Sequence, residues 1–150
     1  MNAPAGERGS AALYTRELLA LAVSLADRPI DPSAPLSGEA RSATCGSTIR
    51  FGCAVDAAGK IERPGLQVTA CAVGQAAAAL FVARAEGQNR RAIEDTRDAL
   101  KQWLEGQGPM PDWPGLSVLD PARAYPARHG AIVLAWNAAL AALPKETTAS

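Results

Sequence analysis

The sequence predicts an α+β domain in which helices cover one face of a small antiparallel sheet of about three strands. In residues 48–55 the apolar Ile49, Phe51, Cys53 and Val55 alternate with Thr48, Arg50 and Gly52, as in a strand with one buried face. Residues 72–82 are small and apolar on every side, which is typical of a helix buried against a sheet. Because one helix precedes the strands and further helices follow them, α+β architecture is favoured over alternating α/β architecture.

Length and composition indicate one globular domain. The chain has 150 residues, of which 48% are hydrophobic and 20% are charged, and a chain of this size can bury a core. We predict a single domain over residues 13–143. Glycine, proline and polar residues at 1–12, together with polar residues at 144–150, indicate flexible tails.

Charge balance and hydropathy restrict the partners and the location. Lysine plus arginine and aspartate plus glutamate number 15 each, so the basic excess that attracts nucleic acid or an anionic membrane is missing. No apolar run approaches the ~18–20 residues that cross a bilayer, and the first residues lack the apolar segment of a secretion signal. We therefore expect a cytoplasmic protein that binds neither nucleic acid nor membrane.

The first predicted element is a helix. Ser10 is predicted to cap it, and it should run to about Ala26. Its apolar stripe consists of Leu18, Leu19, Ala22, Val23 and Ala26. Three prolines and a glycine then make residues 28–38 irregular.

Strands are expected from Glu39 onward. Residues 56–59 form a tight loop that joins the alternating strand to a return strand. Pro64 and Gly65 should bend the return strand or place it at an edge of the sheet, because proline cannot donate to a hydrogen-bond ladder.

Three helices are expected after the sheet. The buried helix opens after Cys71, and Asn89 is placed to cap the next helix. Residues 106–115 form a loop, and a last helix follows Pro126. The inward residues are Ile93, Leu100, Trp103 and Leu104 in the second helix and Ile132, Ala135, Trp136, Ala139, Leu140 and Leu143 in the last.

The three cysteines are the main candidates for chemistry, and an odd count disfavours a disulfide framework. Cys45 lies in a turn beside Gly46, where the backbone can approach a bound group closely. Cys71 ends a strand and opens a helix, whose unpaired amides favour a thiolate over a thiol. Either residue alone is equally well explained as a small buried side chain. Cys53, which alternates with apolar neighbours, is predicted to be buried in this way.

His129 is the only histidine, and it lies at the open end of the inward stripe of the last helix. A lone histidine is more often structural than a ligand, and the sequence has no H-x-x-x-H or C-x-x-C spacing. It also has no glycine-rich phosphate loop and no G-x-S-x-G nucleophile elbow. The cysteines therefore remain the best candidates.

Two cysteine segments and a later helix resemble the NifU/IscU-type iron–sulfur cluster assembly scaffold family. They are T-C-G-S at residues 44–47, A-C-A-V-G-Q-A at 70–76, and the stretch from Arg123 to Trp136. The long loop before the last helix is similar to that of the SufU branch. The resemblance spans roughly residues 13–143.

The resemblance implies a scaffold or carrier rather than an enzyme. It implies that Cys45 and Cys71 bind a labile iron–sulfur cluster, or a single iron or zinc ion. A cysteine desulfurase would supply sulfur, and apo iron–sulfur proteins would receive the assembled cargo.

Two ligand positions of that family are replaced in this sequence. The resemblance places Gly130 where the family has its third cysteine, and Ser47 where it has an aspartate. His129 matches a histidine just before the third cysteine, so it is the third candidate ligand, whereas Ser47 would add at most a weak hydroxyl. A homodimer could supply four thiolates to one bridging cluster, which takes four ligands.

Three other functions stay open. Cys45 or Cys71 could accept sulfur from a desulfurase and pass it on as a relay. A degenerate member of the family could keep the fold to bind a partner and carry no metal. A thiol switch that joins Cys45 to Cys71 would need their Cα atoms within about 7 Å.

Overall fold

The computed structural model describes residues 14–43 and 46–145, which form helices around one sheet. The helices are α1 (Arg16–Ser24), α2 (Ala72–Ala85), α3 (Arg90–Leu104) and α4 (Pro126–Ala142), and the strands are β1 (Leu36–Arg41), β2 (Thr48–Val55) and β3 (Ile61–Thr69). Short 3-10 helices lie at Leu25–Asp27 and Leu116–Ala124. The predicted α+β class is confirmed. The tails predicted at 1–12 and 144–150 lie mostly outside the described residues.

The strands form one antiparallel sheet in the order β1-β2-β3. Ile49, Phe51 and Cys53 of β2 are buried, with at most 1% of each residue exposed. Helix α4 packs on β1 and β2, and α2 packs on β3. Helices therefore cover one face of the sheet, and burial of that face determines the register of the strands.

Gly38 allows β1 and α4 to meet at backbone distance. A Cβ atom at this position would lie 2.6 Å from the carbonyl oxygen of Ala138 and would also collide with the backbone of Ala142. Only glycine permits so close an approach between a strand and a helix.

The opposite face of the sheet is partly covered by the chain that precedes β1. A Cβ atom at Gly52 would lie 2.6 Å from Cγ2 of Ile30, and one at Gly65 would lie 2.7 Å from the Cα of Ile30. The Leu66 amide donates to the carbonyl of Arg28 at 2.9 Å. The proline-rich segment is therefore tied to the outer edge of β3.

Helix α1 begins later than the sequence predicts. Its first residue is Arg16, and the hydroxyl of Thr15 accepts from the Leu18 amide at 3.2 Å. Thr15 is therefore the N-cap of this helix, and the predicted cap Ser10 lies outside the described residues.

Of the five residues predicted for the apolar stripe of α1, two are buried, and Ala26 is among the exposed ones. Leu18 and Ala22 are buried, whereas Leu19 is 45% exposed and Val23 is 77% exposed. The residues that pack against the core are Leu18, Leu21, Ala22 and Leu25. The buried stripe therefore follows the i, i+3, i+4, i+7 spacing, but it is rotated away from Leu19 and Val23.

The connection between β2 and β3 matches the prediction. Oδ1 of Asp56 accepts from the amides of Ala58 and Lys60, each at 2.9 Å, and Gly59 has a φ of 78°. Pro64 lies in the edge strand β3, where a missing N–H is tolerated. The ladder is irregular opposite it, between Gly52 and Ala54.

Aromatic rings form the centre of the core. Phe81 of α2 is stacked on Trp113 with centroids 5.7 Å apart, and it contacts Phe51 and Trp136 edge-on at 5.7 and 5.0 Å. Nε1 of Trp113 donates to the carbonyl of Leu80 at 2.8 Å. The loop at residues 106–115 is thereby anchored on α2.

The last two α-helices follow the prediction, but the 3-10 helix between them was not predicted. Oδ1 of Asn89 accepts from the Ala92 amide at 2.8 Å and caps α3. The inward residues named for α3 and α4 are all buried. In the 3-10 helix, Leu116, Leu119 and Ala122 recur at a spacing of three, which the neighbouring prolines and glycine conceal. Among the described residues, none of the helices has the length and apolar character needed to span a membrane.

Candidate functional site

Cys71 lies between β3 and α2, where it is the N-cap residue of the helix. Its backbone is extended, with φ −65° and ψ 168°, and the residue is partly buried. Its side chain makes no capping hydrogen bond, unlike the side chains of Thr15 and Asn89 at the starts of α1 and α3. The sulfur therefore takes no part in capping the helix.

Cys45 lies outside the described residues, but both ends of its loop are described. The Ser42 amide donates to the carbonyl of Ser47 at 2.8 Å, and the Gly46 amide donates to the carbonyl of Ser42 at 3.1 Å. Gly46 has a φ of 70°, in the left-handed region that glycine adopts without steric cost. These hydrogen bonds hold together the two described ends of the connection between β1 and β2; the predicted turn at Cys45 itself lies outside the described residues. Ser47 is only 4% exposed, so little of it reaches solvent at this turn.

The strand register brings this turn to the same end of the sheet as Cys71. Thr48 pairs with Arg41 on one side and with Thr69 on the other. Cys45 precedes Thr48 by three residues, and Cys71 follows Thr69 by two. Both cysteine segments therefore leave the sheet at one end of the molecule.

Helix α4 forms a third side of this end. A Cβ atom at Gly74, in the first turn of α2, would lie 3.2 Å from the Cβ of Ala131. Ala131 of α4 therefore lies against the first turn of α2. Gly130 lies beside Lys101 and Leu104 of α3. Consecutive residues of an α-helix point in directions about 100° apart, so two neighbouring residues of α4 can face different helices.

His129 lies on the side of α4 that faces α3. With Leu104 and Val133 it lines a small cavity of about 100 Å³. Its Nε2 lies 3.0 Å from the carbonyl oxygen of Arg123. The structure therefore ties His129 to the 3-10 helix, on a different face of α4 from Ala131.

Cys53 is buried inside the sheet, as the alternation of β2 predicts. It is 0% exposed, and burial raises the pKa of its thiol from 9.0 to about 11. A thiol in this environment stays protonated at physiological pH and is inert toward metals and electrophiles.

The described residues do not form a closed metal site. Across residues 14–43 and 46–145, no group of three or more histidine, cysteine, aspartate or glutamate side chains is arranged to hold a metal ion.

Sequence reasoning missed two residues at this end of the molecule, Gln75 and Ala131. Nε2 of Gln75 donates to the carbonyl of Ala70 at 2.8 Å, across the junction that contains Cys71. A glutamine in the first turns of a helix is the only signal in the sequence, and it does not reveal a bond back to the preceding strand. The role of Ala131 depends on how two helices pack, which no local pattern encodes.

Solved structures share this fold. A nitrogen-fixing NifU-like protein from Brucella abortus (its N-terminal part) matches with a TM-score of 0.79 and 24% identity, over 88% of this chain and 92% of that chain. An iron–sulfur cluster assembly scaffold assigned to the SUF system of the thermophile Fervidobacterium islandicum AW-1 matches with a TM-score of 0.75 and 16% identity, over 88% and 97%. A hypothetical protein matches with a TM-score of 0.61 and 20% identity, over 82% and 93%.

The chain therefore has the fold of NifU-like and SufU-type scaffold structures, which the cysteine segments led us to expect. No protein-family model matches the sequence, and no curated protein matches it. At these identities the likeness defines the fold, so the function has to be argued from the site.

Proposed function

We propose that this chain is a scaffold or carrier for iron–sulfur cluster assembly, and that it binds iron or a labile cluster through Cys45 and Cys71. The pairing of Thr48 with Thr69 supports this most strongly, because it sets the turn of Cys45 beside the junction of Cys71. Thiolates are soft ligands suited to iron–sulfur clusters. The shared fold with a NifU-like protein and a SUF scaffold protein supports the same function.

Besides the two cysteines, the chain offers only weak candidate ligands for a metal or cluster. His129 is the third candidate, but binding through Nε2 would require that nitrogen to give up the carbonyl of Arg123. Ser47 is 4% exposed, so its hydroxyl would contribute little. One chain therefore suits a labile cluster, or a single iron or zinc ion with open positions, better than a closed four-ligand site.

A homodimer would complete the ligand set. Two chains that each contribute Cys45 and Cys71 provide four thiolates, which is the number that a [2Fe–2S] cluster usually takes. In this arrangement the cluster bridges the two chains and leaves when they separate. Such lability suits a carrier that hands its cargo to apo iron–sulfur proteins.

Anaerobic reconstitution tests the binding function. The protein is incubated with iron and sulfide and desalted, and its visible absorption and retained iron are measured. We expect the wild type to retain iron. Cys45→Ser and Cys71→Ser should each retain about tenfold less iron than the wild type, since each variant lacks one ligand. Cys53→Ala is the matched control and should load normally. Equal iron in all four proteins, or none in the wild type, would refute the proposal.

A sulfur relay is the second candidate, because Cys71 is only partly buried and its thiol makes no capping hydrogen bond to α2. In a relay, the thiolate of Cys45 or Cys71 attacks a persulfide on a cysteine desulfurase, takes the terminal sulfur and leaves the desulfurase thiolate behind. Mass spectrometry after incubation with a desulfurase and cysteine should then show one sulfur added to a single cysteine. No addition at either residue would exclude the relay.

A partner-binding module without metal is the third candidate. It predicts that the double variant in which Cys45 and Cys71 are both serine keeps its function. Such a module would keep its affinity for a desulfurase in a pull-down, whereas a scaffold or relay would lose cargo or sulfur transfer in the same protein.

A further inference from the structure

Gln75 closes the junction at which Cys71 lies. Its side-chain Nε2 donates to the carbonyl of Ala70 at 2.8 Å, and its backbone amide donates to the carbonyl of Cys71 at 2.9 Å. One residue thus bonds to both residues that join β3 to α2. Gln75 is partly buried, so water competes less effectively for the side-chain bond than it would at an exposed position.

The starts of α1 and α3 show what is unusual at this junction. Thr15 and Asn89 each use their own side chain to accept from the third amide of the helix, at 3.2 and 2.8 Å. Cys71 makes no such bond. The side-chain hydrogen bond at this junction comes from Gln75, which donates to the carbonyl of Ala70 and does not accept from an amide of the helix. The sulfur of Cys71 takes no part in either bond.

Apolar side chains pack tightly around the start of α2. A Cβ atom at Gly74 would lie 2.9 Å from the Cβ of Ala70 and 3.2 Å from that of Ala131. These apolar contacts determine how closely α2 approaches β3 and α4. The carbonyl of Ala70 also accepts the hydrogen bond of Gln75, which favours one direction of that carbonyl.

We propose that Gln75 is a positioning residue for Cys71, which holds the Ala70–Cys71 peptide in one conformation and thereby limits access to the sulfur. The inference rests on the proposed function only in taking Cys71 as the working thiol. Without the side-chain bond, the peptide at the end of β3 can rotate and the first turn of α2 can open locally. A reagent then reaches the sulfur more often, and a cargo that needs a fixed sulfur binds less tightly.

Alkylation of the metal-free protein tests the proposal directly. Gln75→Met keeps the length and the apolar stem of the side chain but has no donor. With iodoacetamide at neutral pH and peptide-resolved mass spectrometry, we expect the alkylation rate of Cys71 to rise about 3- to 10-fold, the range that corresponds to one hydrogen bond. Gln75→Asn, whose amide is one methylene shorter, should behave in the same way. Gln67→Met, at an exposed position of β3, is the matched control and should leave the rate unchanged.

Cys53 provides an internal reporter in the same experiment. It is 0% exposed, so it reacts only when the domain opens as a whole. A positioning role raises the rate of Cys71 alone. If the rates of Cys71 and Cys53 rise by the same factor, Gln75 only stabilises the fold and the proposal is overturned. Unchanged rates in Gln75→Met would overturn it as well.

Iron retention and the alkylation rate of Cys71 test the scaffold function and the positioning role separately. If the wild type retains no iron but Gln75→Met still raises the rate of Cys71 alone, the scaffold function is wrong and the positioning role stands. If iron is retained and the rate of Cys71 does not change, the scaffold function stands and the positioning role is wrong.

Discussion

At the N-cap of α2, a serine hydroxyl would be placed to accept from the Gly74 amide, as Thr15 and Asn89 accept from the third amides of their helices. The Cys71 thiol makes no such bond. We therefore predict that Cys71→Ser keeps or raises the free energy of unfolding, by up to about 1 kcal/mol. Urea denaturation of the metal-free protein measures this. A loss of more than about 1 kcal/mol would mean that the sulfur has a structural role.

The Cys53 thiol makes stability depend on pH above pH 9. Burial raises its pKa from 9.0 to about 11 in the folded protein, so the folded state keeps a proton that the unfolded state releases. This contribution is fully present below about pH 9 and is lost as the pH rises through about 11. The two-unit difference amounts to a loss on the order of 2 kcal/mol.

A comparison with Cys53→Ala isolates that contribution from other groups that titrate in the same range. We predict that the free energy of unfolding of the wild type falls more steeply between pH 9 and 11 than that of Cys53→Ala. Denaturation curves across this range give both slopes. Parallel curves would show that the thiol is not desolvated.

Local sequence patterns predicted the burial of single residues well where the secondary structure alone fixes the direction of the side chain. Cys53 was placed correctly because strand alternation alone determines its face. Leu19 and Val23 were misplaced, since the apolar residues of α1 allow two overlapping helical stripes and the helix buries the one with Leu21 and Leu25. Which stripe is buried depends on how the helix is rotated against the rest of the fold.

At the scale of elements, the crossing of β1 and α4 depends on one glycine. A Cβ atom at Gly38 would collide with the backbone of Ala142 and lie 2.6 Å from the carbonyl oxygen of Ala138. We predict that Gly38→Ala lowers the free energy of unfolding by about 3 kcal/mol or more, because backbone atoms cannot move aside as a side-chain end can. Thermal denaturation measures the loss, and Ser37→Ala, at an exposed neighbour in β1, should change little.

The elements themselves were predictable to different degrees. β2, the 56–59 loop and α2 to α4 were predicted from alternation, turn residues and helical spacing. The 3-10 helix at Leu116–Ala124 was not, because its proline and its period of three match neither a strand nor an α-helix. Helix α1 was predicted in type but not in its start, because Thr15 caps it as well as any upstream serine would.

At the scale of the whole molecule, the sheet register joins segments that are distant in the chain. The sequence placed Cys45 in a turn and Cys71 at a strand–helix junction, but only the pairing of Thr48 with Thr69 puts the two segments at one end. Which residue of α4 faces that end depends on the rotation of a helix about its axis. The position of Ala131 against the first turn of α2 is set in this way.

A bridging cluster would couple cargo binding to oligomerisation. We predict that the metal-free protein is a monomer and that the cluster-loaded wild type is a dimer, since four thiolates require two chains. Anaerobic size-exclusion chromatography with light scattering measures both states, with Cys71→Ser as a variant that should remain monomeric. A loaded monomer would show that the cluster does not bridge two chains.

X-ray absorption of the zinc-loaded protein tests whether Cys45 and Cys71 bind one metal ion, because it counts the sulfur atoms bound to the metal. We expect two sulfur ligands per zinc in a monomer, or four in a dimer, at about 2.3 Å. Cys45→Ser and Cys71→Ser should each remove one sulfur per chain, and Cys53→Ala should remove none. A zinc ion bound only by nitrogen and oxygen would show that the two cysteines do not form a metal site.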